Sequence, residues 1–414
     1  MTLSALASRI VAAGLVGVTL CAPVRAEVIP QNPGGELIVR GNYWRDRNTR
    51  VLNPTIDVRR ELPSGMSVGA HYVLDAITSA SVAAGVTADQ PFTELRHEAG
   101  FRAEVPLSRK VRISGSYSYS SESDYWAHNL GLRLKLSLAR DHTGLLLGAD
   151  YGHNTAGKRL GPTGYLLQGE MHNIHLLACG SQVLSPTLLG TVGYEITVQR
   201  GFLENPYRPV FVGTERREVE VLPELRIRHA LSLALHGMAL VQHGLLRHVT
   251  FRPSFRLYAD SWGIRGASPE LSTSLALPPL ELRLLVGYYG QVGADFYRAE
   301  GTCRNVFPDA PCYTEPVLFH GDLVYTSDVK LGPYSTGTME LQLKLRLTLL
   351  SELPHVGALL GRTVAEVTAG MWLADRGPGW QFNIPLRWGD PWAPAGCSLS
   401  CGAFYGNLGF YIPL

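Results

Sequence analysis

Beyond its first two dozen residues, the 414-residue chain contains no apolar run of about 18 residues, so it lacks the material for a membrane-spanning helix. Helical periodicity is scarce as well. With 44 Gly and 26 Pro, regular helices would be broken repeatedly, and no long segment holds apolar residues at i, i+3, i+4 and i+7. Charge of one sign is not concentrated anywhere: 37 basic and 35 acidic residues are dispersed, for a net charge of +2, which argues against a nucleic-acid partner. Catalytic signatures are missing too. There is no Gly-x-Ser-x-Gly elbow, no His-Glu-x-x-His, no phosphate loop and no dinucleotide-binding glycine pattern. The 13 His are scattered. Neither His172 with His175 nor His243 with His248 shares a strand face in a way that suggests a metal site, so lone lumen or turn histidines are the expectation.

Despite these absences the chain is 45% hydrophobic, and that apolar material is arranged with a period of two. Val111, Ile113, Tyr117 and Tyr119 alternate with Arg112, Ser114, Ser116 and Ser118. Leu130, Leu132, Leu134 and Leu136 alternate with Gly131, Arg133, Lys135 and Ser137, and Leu341, Leu343 and Leu345 with Gln342, Lys344 and Arg346. Leu280, Leu282, Leu284, Val286 and Tyr288 repeat the pattern against Glu281 and Arg283. Successive side chains on a strand point to opposite faces, so each segment predicts a strand oily on one side and polar on the other.

The connections predict which end is which. Short ones lie at residues 62–65, 106–109, 140–143, 184–187 and 277–279, and longer polar stretches at 78–92, 154–167, 200–217, 292–334 and 375–400. Outer-membrane barrels have short periplasmic turns and long outer loops. Strands of ~9–11 residues between these connections number about 16, with a range of 14–18. The expected fold is therefore an all-β, transmembrane antiparallel up-and-down β-barrel. In hydrocarbon an unpaired backbone group costs several kcal/mol, so the sheet must close on itself. Arg112, Arg133, Lys135, Arg283, Lys344 and Arg346 are then expected to face the lumen. Tyr43, Trp44, Tyr125, Trp126, Tyr258, Trp262 and Trp372 are expected in interfacial aromatic girdles.

Both ends suit export. Residues 1–26 hold Arg9, an apolar run from Ile10 to Leu20 and small residues around Val24-Arg25-Ala26, the layout of a cleavable signal peptide, leaving one barrel domain over 27–414. The last segment, Asn407 to Leu414, resembles the terminal signal read by the outer-membrane barrel-assembly machinery, with Leu414 where Phe is usual. The expected location is the cell outer membrane, with lipid and that machinery as partners. In such an oxidising compartment Cys303 with Cys312, and Cys397 with Cys401, are each spaced to close a small disulfide loop, while Cys179 is left over as a small buried or lipid-facing residue.

One constellation stands above background. The expected topology puts Asp75, Glu122, Asp124, Asp260 and Asp295 near the outer mouth, in polar and aromatic surroundings, with Arg208, Arg226 and Arg228 nearby. Three readings stay open: bracing of the rim by ion pairs, coordination of a hard cation such as Ca²⁺, or ordinary solvated loops. No cofactor is expected.

The same motifs carry a family resemblance. Asp75-Ala76-Ile77-Thr78-Ser79, Glu122-Ser123-Asp124-Tyr125, Asn205-Pro206-Tyr207-Arg208, Arg226-Ile227-Arg228-His229-Ala230, Tyr258-Ala259-Asp260-Ser261-Trp262-Gly263 and Ala294-Asp295-Phe296-Tyr297 resemble, in order, a bacterial family of exported proteins that bears only a domain-of-unknown-function label. The resemblance implies a barrel in the outer membrane and supplies no catalytic residues. A pore or transport channel of unknown solute is the leading expectation, wide enough at 16 strands to hold water. A structural or adhesive surface barrel is the alternative, and an outer-membrane enzyme a weaker one.

Overall fold

The computed structural model describes residues 34–45, 49–79, 92–160, 164–206, 210–212, 215–217, 220–298, 313–314, 316–326, 328, 330–355, 357–375 and 401–414. Sixteen strands follow one another in chain order: β1 (Gly35–Arg45), β2 (Thr49–Glu61), β3 (Ser67–Ser79), β4 (Phe92–Pro106), β5 (Val111–Ser121), β6 (Tyr125–Leu138), β7 (Thr143–Leu160) and β8 (Gly164–Ser185). They continue as β9 (Leu188–Gly201), β10 (Leu225–His243), β11 (Leu246–Asp260), β12 (Arg265–Leu277), β13 (Leu280–Gln291), β14 (Tyr334–Arg346), β15 (Val364–Asp375) and β16 (Cys401–Pro413). Each pairs antiparallel with its neighbours, and β1 pairs with β16 from Glu36–Pro413 to Arg45–Phe404, so the barrel is closed. No strand edge is left in the wall. Pro413 lies at the last ladder position of its strand, where a missing N–H costs least.

The predicted alternation sets the two faces. Leu130, Leu132, Tyr151, Ile174, Leu176, Leu341 and Val367 stand exposed on the outside. The charged residues between them turn inward and pair across strands. Arg133 binds Asp150 through two hydrogen bonds at 2.6 and 2.7 Å, and Lys135 and Arg112 both reach Glu104, at 2.6 and 3.0 Å. Arg102 reaches Asp57 at 2.6 Å, Arg256 reaches Glu195 at 3.1 Å, and Arg283 donates to Ser272. This outer-membrane-type architecture thus carries an apolar belt on its outer face and paired charges within.

One end holds both barrel termini and short turns, including Leu62–Met66 and the Pro278-Pro279 link between β12 and β13. A longer connection there, residues 347–363, departs from the short-turn pattern and winds through one 3₁₀ turn and one short helical turn. At the opposite end, residues 154–167 are largely strand rather than loop: β7 and β8 extend the wall as a hairpin, with a bulge between Ala156 and Gly157. Gly157 and Gly164 read as breakers, but ladder pairing outweighs their propensity. Several aromatics expected in girdles point inward instead. Trp44 packs on Val51 and Ile77, and Trp262 is 2% exposed within the mouth.

Candidate functional site

At the loop end, segments between strands fold over one side of the mouth. Leu222, Trp262, Ile264, Ala294, Phe296, Val324 and Leu331 form the largest buried apolar cluster among the described residues, with Phe319 edge-on to Phe296. Its framework begins at the β11–β12 turn. Asp260 Oδ1 accepts from the backbone N–H groups of Trp262 and Ile264, both at 3.0 Å, which fixes a tight turn that Gly263 completes at φ +87°. The other oxygen, Oδ2, accepts from Arg226 Nε at 2.9 Å, from Arg226 Nη2 at 2.5 Å and from the Tyr258 hydroxyl at 2.8 Å. The Arg226 guanidinium also lies 4.3 Å from the Trp262 ring centroid. Asp295 stands over Gly263, with its backbone N–H donating to Trp262 O at 2.8 Å; its carboxylate fills the space a Cβ on Gly263 would need.

Below this cap lies a cavity of about 120 Å³, lined among others by Gln199, Glu204, Glu220, Arg226, Arg228 and Asp328. Glu220 is 1% exposed and ties two loops together: it accepts from Asn205 N at 2.9 Å and from the Thr326 hydroxyl at 2.5 Å. Nothing in the sequence marked Glu220, because its partners are 15 and 106 residues away. Burial, reinforced by the charge of Glu220, holds the Glu204 carboxyl above its ordinary range despite nearby backbone donors.

The predicted rim residues divide into three groups. Asp260, Arg226, Arg228 and Asp295 meet at the cap. Asp75 sits elsewhere, fully buried on the inner face of β3, where Arg96 and Asn53 both donate to it. Glu122 and Asp124 approach Glu94, whose carboxylate accepts from Ser123 at 2.6 Å. The five carboxylates therefore form no single cation shell: Asp260 pairs with Arg226, one of the arginines expected at the rim, whereas Asp75 pairs with Arg96 instead. Arg208, Cys303, Cys312 and Cys397 lie outside the described residues, as does the side chain of Cys401. Cys179 is buried beside Leu177 and Leu146; every other cysteine side chain falls outside the described residues.

Residues 76–355 match the family model described as "Protein of unknown function (DUF3570)". The chain belongs to this family. The DUF3570 segment contains the whole cap and its Asp260–Arg226 brace, and Asp75 precedes it by one residue. No curated protein matches the sequence. Among solved structures, a bacterial polysaccharide outer membrane secretin aligns over 92% of this chain and 99% of its own, at 10% identity and a TM-score of 0.49. CdiB from Acinetobacter baumannii aligns over 91% and 60%, at 9% identity and 0.47. The siderophore receptor PirA from Pseudomonas aeruginosa aligns over 82% and 55%, at 12% identity and 0.39.

Proposed function

We propose that this DUF3570 member resides in the outer membrane and that its lumen conducts small polar solutes between the capped outer mouth and the periplasm. The observation that carries the reading is the state of the inward charges. The side chains of Arg102, Arg112 and Lys135 keep 47%, 47% and 49% of their surface exposed inside the wall while each holds a carboxylate partner. A dry interior would impose a large desolvation cost on half-exposed cations, so a water-filled lumen is the arrangement that tolerates them. The apolar belt on the other face suits lipid, and β16, the last strand, is the segment this reading assigns to the barrel-assembly machinery.

Purified protein in planar bilayers is expected to give discrete channel openings. A tight electrical seal at every voltage, with insertion verified, contradicts the reading. A second reading rests on the cap itself. The Trp262 and Phe296 cluster gives the mouth an ordered surface of the kind a partner recognises, and it makes the loops rather than the lumen the working part. Both readings are non-enzymatic: Asp75 and Asp260 are engaged by structural donors.

A further inference from the structure

The outer wall carries a repeat that no single strand reveals. On four successive hairpins a tyrosine hydroxyl and the Nδ1 of a histidine on the next strand share a diagonal hydrogen bond: Tyr72 with His97 at 2.7 Å, Tyr117 with His128 at 2.8 Å, Tyr151 with His172 at 2.9 Å and Tyr194 with His229 at 2.8 Å. Three of the four are set among apolar or aromatic neighbours. Directly opposite the histidine stand Leu74, Tyr119 and Ile196, and two residues before it stand Leu95, Trp126 and Ile227.

The β7–β8 pair departs from that pattern at both places. Opposite His172 stands His153, and two residues before it stands Glu170. One ligand atom from each of the three lies within 4.8 Å of the others, the spacing that a single ion spans. The His153 and His172 rings have centroids 4.9 Å apart. His153 Nδ1 is shielded from solvent and makes no hydrogen bond among the described residues. Tyr151 engages Nδ1 of His172, which leaves Nε2 to ligate and supplies the outer oxygen partner that orients a metal-bound imidazole.

We propose that His153, Glu170 and His172 form a binding site for a first-row divalent transition ion of the zinc class, on the outer wall at the level of the tyrosine–histidine girdle. Two imidazoles and one carboxylate select such an ion over Ca²⁺ or Mg²⁺, which take all-oxygen shells. Three protein ligands leave a fourth position open. The carboxylate also offsets the ion's charge, so a position otherwise costly beside lipid becomes a reason for Glu170 to stand there.

The test uses the full chain, purified without a histidine tag in detergent micelles, with Zn²⁺ and Co²⁺ as probes. Calorimetry is expected to give one saturable Zn²⁺ site with none for Ca²⁺, and Co²⁺ to give visible bands that Zn²⁺ removes. His172→Ala and the isosteric Glu170→Gln should each weaken binding at least about tenfold, and Tyr151→Phe by about 10–100-fold through the outer partner. His97→Ala, at the plain version of the repeat, should leave binding unchanged. Heat-modifiable migration on gels establishes that each variant is a folded barrel. No saturable Zn²⁺ site, or a site that survives His153→Ala, Glu170→Gln and His172→Ala together, overturns the proposal.

Discussion

Asp260 and Arg226 are joined through a single carboxylate oxygen that accepts from both Nε and Nη2 of the guanidinium, at 2.9 and 2.5 Å. The Asp260 side chain is fully buried, and its second oxygen holds two backbone N–H groups of the turn. Asp260→Ala would strand a largely buried cation and orphan both donors. Loss of one partner from a buried pair costs about 3–5 kcal/mol. The loss should be local, because the sixteen-strand ladder does not pass through the turn. Limited proteolysis is expected to open the cap segments around 202–224 and 316–333, while the barrel keeps its heat-modifiable migration.

The cap should also respond to pH through Glu204. Burial raises its folded pKa above the unfolded value, so protonation favours the packed form. That contribution is fully present below the ordinary carboxylate range and is lost as pH rises through the raised value. Protease resistance of the cap is expected to fall as pH is raised across this window. Glu204→Gln should stay resistant throughout, and a variant with an unchanged pH profile would contradict the assignment.

In the lumen, the half-exposed cations face carboxylates that are better covered: Glu104 is 14% exposed beside Arg112 and Lys135. The water path therefore sees more positive than negative surface at this point. A weak preference for anions is expected from reversal potentials in a salt gradient. Arg112→Ala with Lys135→Ala should move the ratio toward cations by a few-fold, with a larger effect at low salt where screening is weak.

The strands and their faces were legible because a closed sheet that is apolar on its outer face and polar on its inner face carries a strict period of two, visible from Leu130 to Leu136 against Arg133 and Lys135. The strand number and the turn end followed from breakers such as Pro63-Ser64-Gly65. What depends on register was not legible. Asp75 meets Arg96 and Asn53 only once β2, β3 and β4 are laid side by side. Likewise the sequence sets His172 beside His175 on its own strand, whereas its neighbour across the ladder is His153 on the strand before. Trp262 showed the opposite failure: an aromatic at a strand end looks the same in sequence whether it meets lipid or a loop cluster, and here it meets Phe296.

The claim that supports the rest is that Leu132 faces lipid while Lys135, three residues along the same strand, faces water inside a closed wall. Spin labels at Leu132→Cys and Lys135→Cys, in protein reconstituted into bilayers with the other cysteines replaced by alanine, read this directly. The account predicts that the label at 132 collides with dissolved oxygen and is shielded from a water-soluble nickel chelate, and that the label at 135 shows the reverse. Equal access of the chelate to both positions would contradict it.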